Sequence, residues 1–210
     1  MKVLLLVDLQ NDFLSGGSMP VPQGEAVIPL ASQLEGCFKL VVATQDWHPI
    51  NHKSFAQNHL GRSPGDMVIL KKQAQMLRPV HCVQNTRGAE LASNLMMNRI
   101  NKVIRKGTDA ELDDHSAFFD AGQGHTTGLY EYLRERKVKD VWVLGLGLAH
   151  GVKATALDAL ALGFRTFLIE DACRGWNRMP DESARTIEEL QKAGVTIRQS
   201  LDLLHISSKL

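Results

Sequence analysis

The chain is expected to fold as a three-layer α/β/α domain around a six-stranded, mainly parallel sheet. Short apolar runs alternate with helix-period stretches from end to end, the pattern of consecutive βαβ units. At 210 residues the chain suits one domain with a well-buried core. No repeat, low-complexity tract or linker composition divides it, so residues 1–210 read as a single domain.

The strands are expected at VLLLV (3–7), LVVAT (40–44), KVIRK (102–106), DVWVLGL (140–146), RTFLIE (165–170) and VTIRQ (195–199). Helices are expected over residues 24–37, 88–98, 127–137, 151–162 and 181–193; the last opens on Pro180, Asp181 and Glu182 and closes at Gly194. The helix from Gly151 carries only Lys153 and Asp158 as charges, which places it in the interior. Two connections, 45–86 and 107–126, are too long for ordinary αβ loops, and long structured loops usually build binding sites.

Charge narrows the partners. Lys and Arg total 24 against 23 acidic residues, so nothing draws the chain to nucleic acid or an anionic membrane, and a small-molecule ligand is expected. Three cysteines, Cys37, Cys82 and Cys173, form no CxxC pair and argue for a reducing compartment, with the cytoplasm expected. The apolar run 3–7 is too short for a signal-peptide core, and nowhere do about eighteen apolar residues run together.

The strand ends carry the chemistry. In an open parallel sheet, ligands bind beyond the carboxyl ends of the strands, where the strand order reverses. Here strand one runs into Asp8, strand two into Asp46 and His48, strand three into Lys106, and strand four into a glycine-rich turn at 147–151. A single polar residue at a strand end is commonly a solvated cap; four converging strands mark a site. The helix start after strand four presents unpaired N–H groups and a positive dipole end, which lower a thiol's pKa and stabilise an oxyanion. Gly151 brings no side chain to that position.

Six segments carry a resemblance: VDLQNDFLSGGSMPVPQG (7–24), ATQDWHPINHKSF (43–55), HCVQNTRGAEL (81–91), KGTDAELDDHSAFFDAG (106–122), VKATALDALALGF (152–164) and EDACRG (170–175). On them the chain resembles the nicotinamidases, within the isochorismatase-like cysteine hydrolases. The resemblance implies the isochorismatase-like fold and a place in NAD salvage through hydrolysis of nicotinamide to nicotinate and ammonia. In that family a thiol attacks the carboxamide, an aspartate is its base and a lysine completes the triad; by position these are Gly151, Asp8 and Lys106. An amide is a poor electrophile, so the thiol must be ionised and the oxyanion held. With the thiol missing, a structural ion pair explains Asp8 and Lys106 about as well as a catalytic one.

The resemblance also implies a divalent metal on Asp46, His48 and His81, with His52 as a fourth ligand. One hard oxygen with two or three imidazoles suits Zn²⁺ first, with Mn²⁺ or Fe²⁺ as alternatives. The ligand pocket carries over onto Phe13, Trp47, Arg78, His115, Gly147, Leu148 and His150. Of these Arg78 stands where the family has a tryptophan and His115 where it has a tyrosine, and residues 147–151 depart from the family's turn at five consecutive positions.

Three functions are expected in descending order. The first is a nicotinamidase-like protein that keeps the fold and metal, binds a nicotinamide-like ligand, and has lost or greatly weakened amide hydrolysis. The second is an active metal-dependent amidohydrolase of a related small amide, with a metal-activated water in place of the thiol. The third is a dinucleotide-binding module, on Gly145, Gly147 and Gly151 with Glu170 or Asp171 as the ribose-binding acid. A homo-oligomer is compatible with all three.

Overall fold

Strand β1 (Lys2–Val7) is an aliphatic run buried throughout except at Lys2, as a strand covered on both faces requires. A computed structural model describes residues 1–71, 73–111, 113, 115–119 and 125–207. After β1 come α1 (Val27–Glu35), β2 (Val41–Asp46), the paired β3 (Met67–Leu70) and β4 (Gln73–Met76), β5 (Lys102–Lys106) and α2 (Leu129–Glu135). Then follow β6 (Asp140–Leu146), α3 (Lys153–Ala161), β7 (Arg165–Arg174), α4 (Glu182–Ala193), β8 (Thr196–Arg198) and α5 (Leu201–Ser207).

The main sheet has the order β5-β2-β1-β6-β7-β8, and each of its pairings is parallel. The chain winds outward from β1 through β2 to β5, then returns to lay β6 on the other side of β1. The reversal therefore lies between β1 and β6, and the ends of those strands flank the crevice that such a reversal opens. Gly145 makes the approach close: a Cβ there would lie 2.1 Å from the Val7 carbonyl oxygen, and its φ of +146° suits glycine. The β6–β7 register shifts at the same place, between Val143 and Gly145.

All six strands of the sheet lie where the apolar runs predict them, and the three-layer α/β arrangement follows. The helices differ more. Residues 88–98 are not a helix; short 3-10 turns at Arg87–Ala89 and Met97–Arg99 flank a chain that bonds elsewhere. The Asn11 amide donates to the Glu90 carbonyl, the Ala92 amide to the Leu9 carbonyl, and Gln10 bridges to Leu91, so tertiary backbone bonds displace the helical ones. The helix expected from Gly151 begins earlier, in a π-helical turn at Leu148–Val152 that runs into α3. Within α3 only Thr155, Ala156 and Ala159 are fully buried, so it lies at the core's edge and not wholly inside. The β3–β4 hairpin and α5 were not anticipated from the sequence.

Glu35, at the end of α1, is buried with neither carboxylate oxygen hydrogen-bonded. Burial pushes its pKa up to about 7, and the nearby Met96 backbone and Arg99 offset this only in part. The folded state thus favours the protonated acid, whose contribution is complete below the unfolded value of 4.5 and is lost as pH rises through about 7. Glu35→Gln is expected to leave the urea midpoint unchanged near about pH 4 and to raise it above wild type by an amount that grows up to about pH 7. An equal gain at both ends of that range refutes the assignment.

Candidate active site

Lys106 ends β5 and is 2% exposed, clamped between two carboxylates. Its Nζ lies 3.0 Å from Asp8 Oδ2 and donates to Asp46 Oδ1. The strand register explains the second contact, because β2 and β5 pair Asp46 directly with Lys106. Asp8 leaves β1 with φ +54°, a left-handed conformation uncommon for a non-glycine residue. Thr44 holds it there: the Asp8 amide donates to Thr44 Oγ1 at 3.1 Å, and that hydroxyl donates to Asp8 Oδ1 at 2.5 Å.

Burial works against every charge in this cluster, and the partners decide the outcome. Burial would lower Lys106, but Asp46 and Asp8 hold its pKa above the usual lysine range. Burial would raise Asp46, yet Lys106 and then His48 keep it well below the carboxylate range. For Asp8 burial prevails over Lys106, and its pKa is raised to about 6. The arrangement is thus an ionised Asp46, a charged Lys106, and an Asp8 poised to exchange a proton near neutrality.

Asp46 also belongs to a second group. Ligand-type atoms of Asp46, His48 and His81, all three residues buried, lie within 4.8 Å of one another. His48 Nδ1 lies 2.9 Å from the Gly107 carbonyl and His81 Nδ1 lies 2.8 Å from the Pro79 carbonyl. A carbonyl only accepts, so both Nδ1 atoms carry the proton and both Nε2 atoms offer a lone pair. Those two Nε2 atoms are buried and make no hydrogen bond. Two orphaned imidazole nitrogens beside a carboxylate, each ring oriented by a backbone carbonyl, fit a divalent metal. Gly107 makes the first orientation feasible, since a Cβ there would lie 2.3 Å from His48 Cε1 and φ is +63°. Phe55 wedges edge-on against both rings, with centroids 5.6 Å from His48 and 5.3 Å from His81.

The crevice between β1 and β6 holds a cavity of about 20 Å³ lined by Asp8, Phe13, Arg78, Lys106, His150 and Gly151 among others. That is room for about one water. Gly151 lies in the π-helical turn, and a Cβ built on it would point at Asp8 Oδ2, 2.8 Å away. A side chain at this position therefore faces the Asp8–Lys106 pair. Its backbone is not in the left-handed region, so chain conformation does not demand glycine there.

The isochorismatase domain matches this chain over residues 2–200. The protein belongs to the isochorismatase family. It is 42% identical over 200 residues to the nicotinamidase of Escherichia coli (strain K12), with 93% of each chain covered. The solved structure of the yeast nicotinamidase bound to the inhibitor nicotinaldehyde is similar at a TM-score of 0.89 and 34% identity, over 95% of this chain and 100% of that one. That of the pyrazinamidase of Pyrococcus horikoshii in complex with zinc gives 0.77 and 37%, over 94% and 98%.

In this isochorismatase-family protein the other pocket positions divide into two sets. Phe13, Arg78, His115, Gly147 and His150 line the same cavity as Gly151. His150, although one residue from Gly151, reaches that cavity through the widened turn and meets Trp176 edge-on at 5.5 Å. Trp47 does not line it: its ring carries the Arg105 guanidinium at 3.9 Å and borders a separate groove with Asn85 and Met97. The reason is strand alternation, since Asp46 and His48 face the site and the residue between them faces away. Leu148 is buried and borders another groove, beside Cys173 and Gly175. His52 lies tilted against His48 with centroids 4.3 Å apart and its Nδ1 meets Ser54 Oγ, outside the three-residue metal group.

Trp176 and Asp113 also belong to the site, and sequence reasoning missed both. Trp176 lines the cavity and packs edge-on against Phe13 at 5.6 Å. Asp113 is buried with its Oδ2 3.7 Å from Arg78, which holds its pKa below the carboxylate range although burial would raise it. Among the described residues no cysteine lines the cavity. Burial pushes the Cys82 thiol well above its usual range and that of Cys173 up to about 12, so neither is a nucleophile in waiting. Gly145 and Gly147 of the dinucleotide-type pattern have local explanations in a positive φ and a close neighbour, and Asp171 is occupied by the Ser200 amide and hydroxyl at 2.8 and 2.5 Å.

Removing the cation leaves two carboxylates buried side by side. Lys106→Met is expected to cost about 3–5 kcal/mol in urea unfolding at neutral pH. A loss below about 1 kcal/mol is the surface ion-pair value and contradicts the buried clamp.

Proposed function

We propose that this protein keeps the fold and metal site of the nicotinamidases, binds a small nicotinamide-like ligand in the crevice, and has lost amide hydrolysis or retains it only weakly. The single observation that carries the reading is the direction of Gly151. The helix start and the Asp8–Lys106 pair face the position from which a thiol would act, and that position ends at a bare α carbon. In support, the relatives are nicotinamidases by name, and the yeast structure holds a nicotinamide-like aldehyde inhibitor.

Asp8 is assigned the base position, Lys106 the clamp that fixes it, and Asp46, His48 and His81 the metal ligands, with Zn²⁺ first among the ions. When bound, such an ion supplies a Lewis-acid contact for a ligand's ring nitrogen. Phe13 and Trp176 offer aromatic edges to the ring, and the turn at 147–151 offers backbone N–H groups. A place in NAD salvage and in the cytoplasm belongs to the same proposal. Among the described residues no helix is long and apolar enough to cross a membrane.

A second reading, an active metal-dependent amidohydrolase on a related small amide, draws also on the void beside Asp8. A cavity of about 20 Å³ admits one water, and a carboxylate with a pKa of about 6 is suited to take its proton. The two readings part in a direct assay. Ammonia release from nicotinamide is expected to fall at least about a thousandfold below that of a thiol nicotinamidase. Gly151→Cys is expected to restore only a small part of it, because the new Cβ crowds Asp8 at 2.8 Å and Ala149, His150 and Arg78 also differ from the family. Wild-type turnover comparable with a thiol enzyme overturns the inactive reading, and turnover abolished by a chelator selects the second.

Metal content is tested separately. Elemental analysis of the purified protein is expected to find a divalent ion, zinc first, that raises the melting temperature and is lost in His81→Ala. A melting temperature indifferent to zinc and to chelator removes the metal from the proposal.

A further inference from the structure

We propose that the crevice selects an aromatic carboxylate over the corresponding amide, and that Arg78 is the residue that reads the acid group. The inference rests on the ligand-binding reading above and names the chemical class of the ligand.

Arg78 is 8% exposed and lines the cavity beside Gly151. A guanidinium carries five N–H donors in a planar fork and no acceptor. Two side chains of the site meet it: Asp113 Oδ2 at 3.7 Å, beyond hydrogen-bond length, and His115 Nε2 at 3.5 Å, at its limit. Asp113 Oδ2 makes no hydrogen bond of its own. The charge of Arg78 is therefore balanced while its donors are only weakly used by the protein's own side chains, which leaves them open to a ligand in the cavity. A second observation points the same way: His150 Nδ1, on the same cavity, is buried without a hydrogen-bond partner.

A carboxylate presents two acceptors that match the fork, with charge-assisted bonds about twice as strong as neutral ones. A carboxamide presents one acceptor and an NH₂ whose donors face the donors of Arg78, so the same wall that attracts the acid penalises the amide. Each carboxylate already present is paired with a cation, which reduces its opposition to a further acid. Asp8 and Asp46 share Lys106 on the other wall, and Asp113 is set against Arg78 itself. The ring would lie against the edge-to-face pair of Phe13 and Trp176, whose centroids are 5.6 Å apart.

The void of about 20 Å³ holds about one water, so the acid group and the ring both require the wall to move. His115, with a side chain 38% exposed, is the wall member best placed to turn outward, and doing so also breaks its 3.5 Å contact with Arg78. Opening the site and freeing a donor for the ligand are one movement. The two departures from the family then belong together: a site that cannot attack an amide is lined to hold an acid.

Calorimetric titration of the intact protein with nicotinate, nicotinamide and benzoate tests this. Nicotinate is expected to bind at least about tenfold tighter than nicotinamide. Arg78→Gln is expected to erase that ratio, and Arg78→Lys, which keeps the charge without the fork, to restore part of it. Because Arg78→Gln strips Asp113 of its cation, Arg78→Gln with Asp113→Asn provides a neutral pair whose fold is checked by circular dichroism. Nicotinamide binding as tightly as nicotinate overturns the inference and leaves the ligand-binding reading intact. Benzoate binding with neither pyridine compound bound supports the acid pocket and removes the nicotinamide-type reading. No binding of any of the three overturns both.

Discussion

The structure depends on a lysine that is not allowed to be solvated. Lys106 sits between Asp8 and Asp46, and the three side chains tie together the ends of β5, β1 and β2. In a water-poor interior an isolated charge of this kind costs several kcal/mol, so the three groups are stable only as a set. Their joint geometry fixes where Asp8 stands, how the Asp46 carboxylate is turned, and how far the clamp lies from the His48–His81 pair. Asp46 belongs to both, which makes the clamp and the metal group one electrostatic unit. A change at either end is felt at the other through a single ammonium.

Backbone chemistry prepares the rest. Carbonyls of Gly107 and Pro79 set the tautomers of His48 and His81, so the metal face exists before any ion arrives. The close approach of β6 to β1 at Gly145 brings the turn after β6 to the carboxylate after β1. Neither feature depends on the side chain missing at Gly151. The fold of the isochorismatase family thus surrounds a glycine at this position, with Arg78, His115 and His150 on the wall that faces it.

The sheet was legible because buried parallel strands are short aliphatic runs, a pattern that residues 3–7 and 140–146 show without ambiguity. The convergence of Asp8, Asp46, His48 and Lys106 followed from their places at strand ends. Residues 88–98 were misread because their helical period competes with backbone bonds to residues 9–11, and partners so distant in sequence leave no local signal. Trp47 illustrates the opposite case. Its orientation was derivable from strand alternation once Asp46 and His48 were taken as facing inward, and the family resemblance obscured it. Trp176 and Asp113 lie in loops, where side-chain direction is set by tertiary packing and no periodicity exposes it.

The void over Gly151 has one more consequence. The turn keeps a backbone conformation open to any L-residue, while Asp8 stands so close that a Cβ on Gly151 would have to displace it. A pocket the size of one solvent molecule, beside a proton acceptor and at the start of a helix, is a receptacle for diffusible reagents of that size.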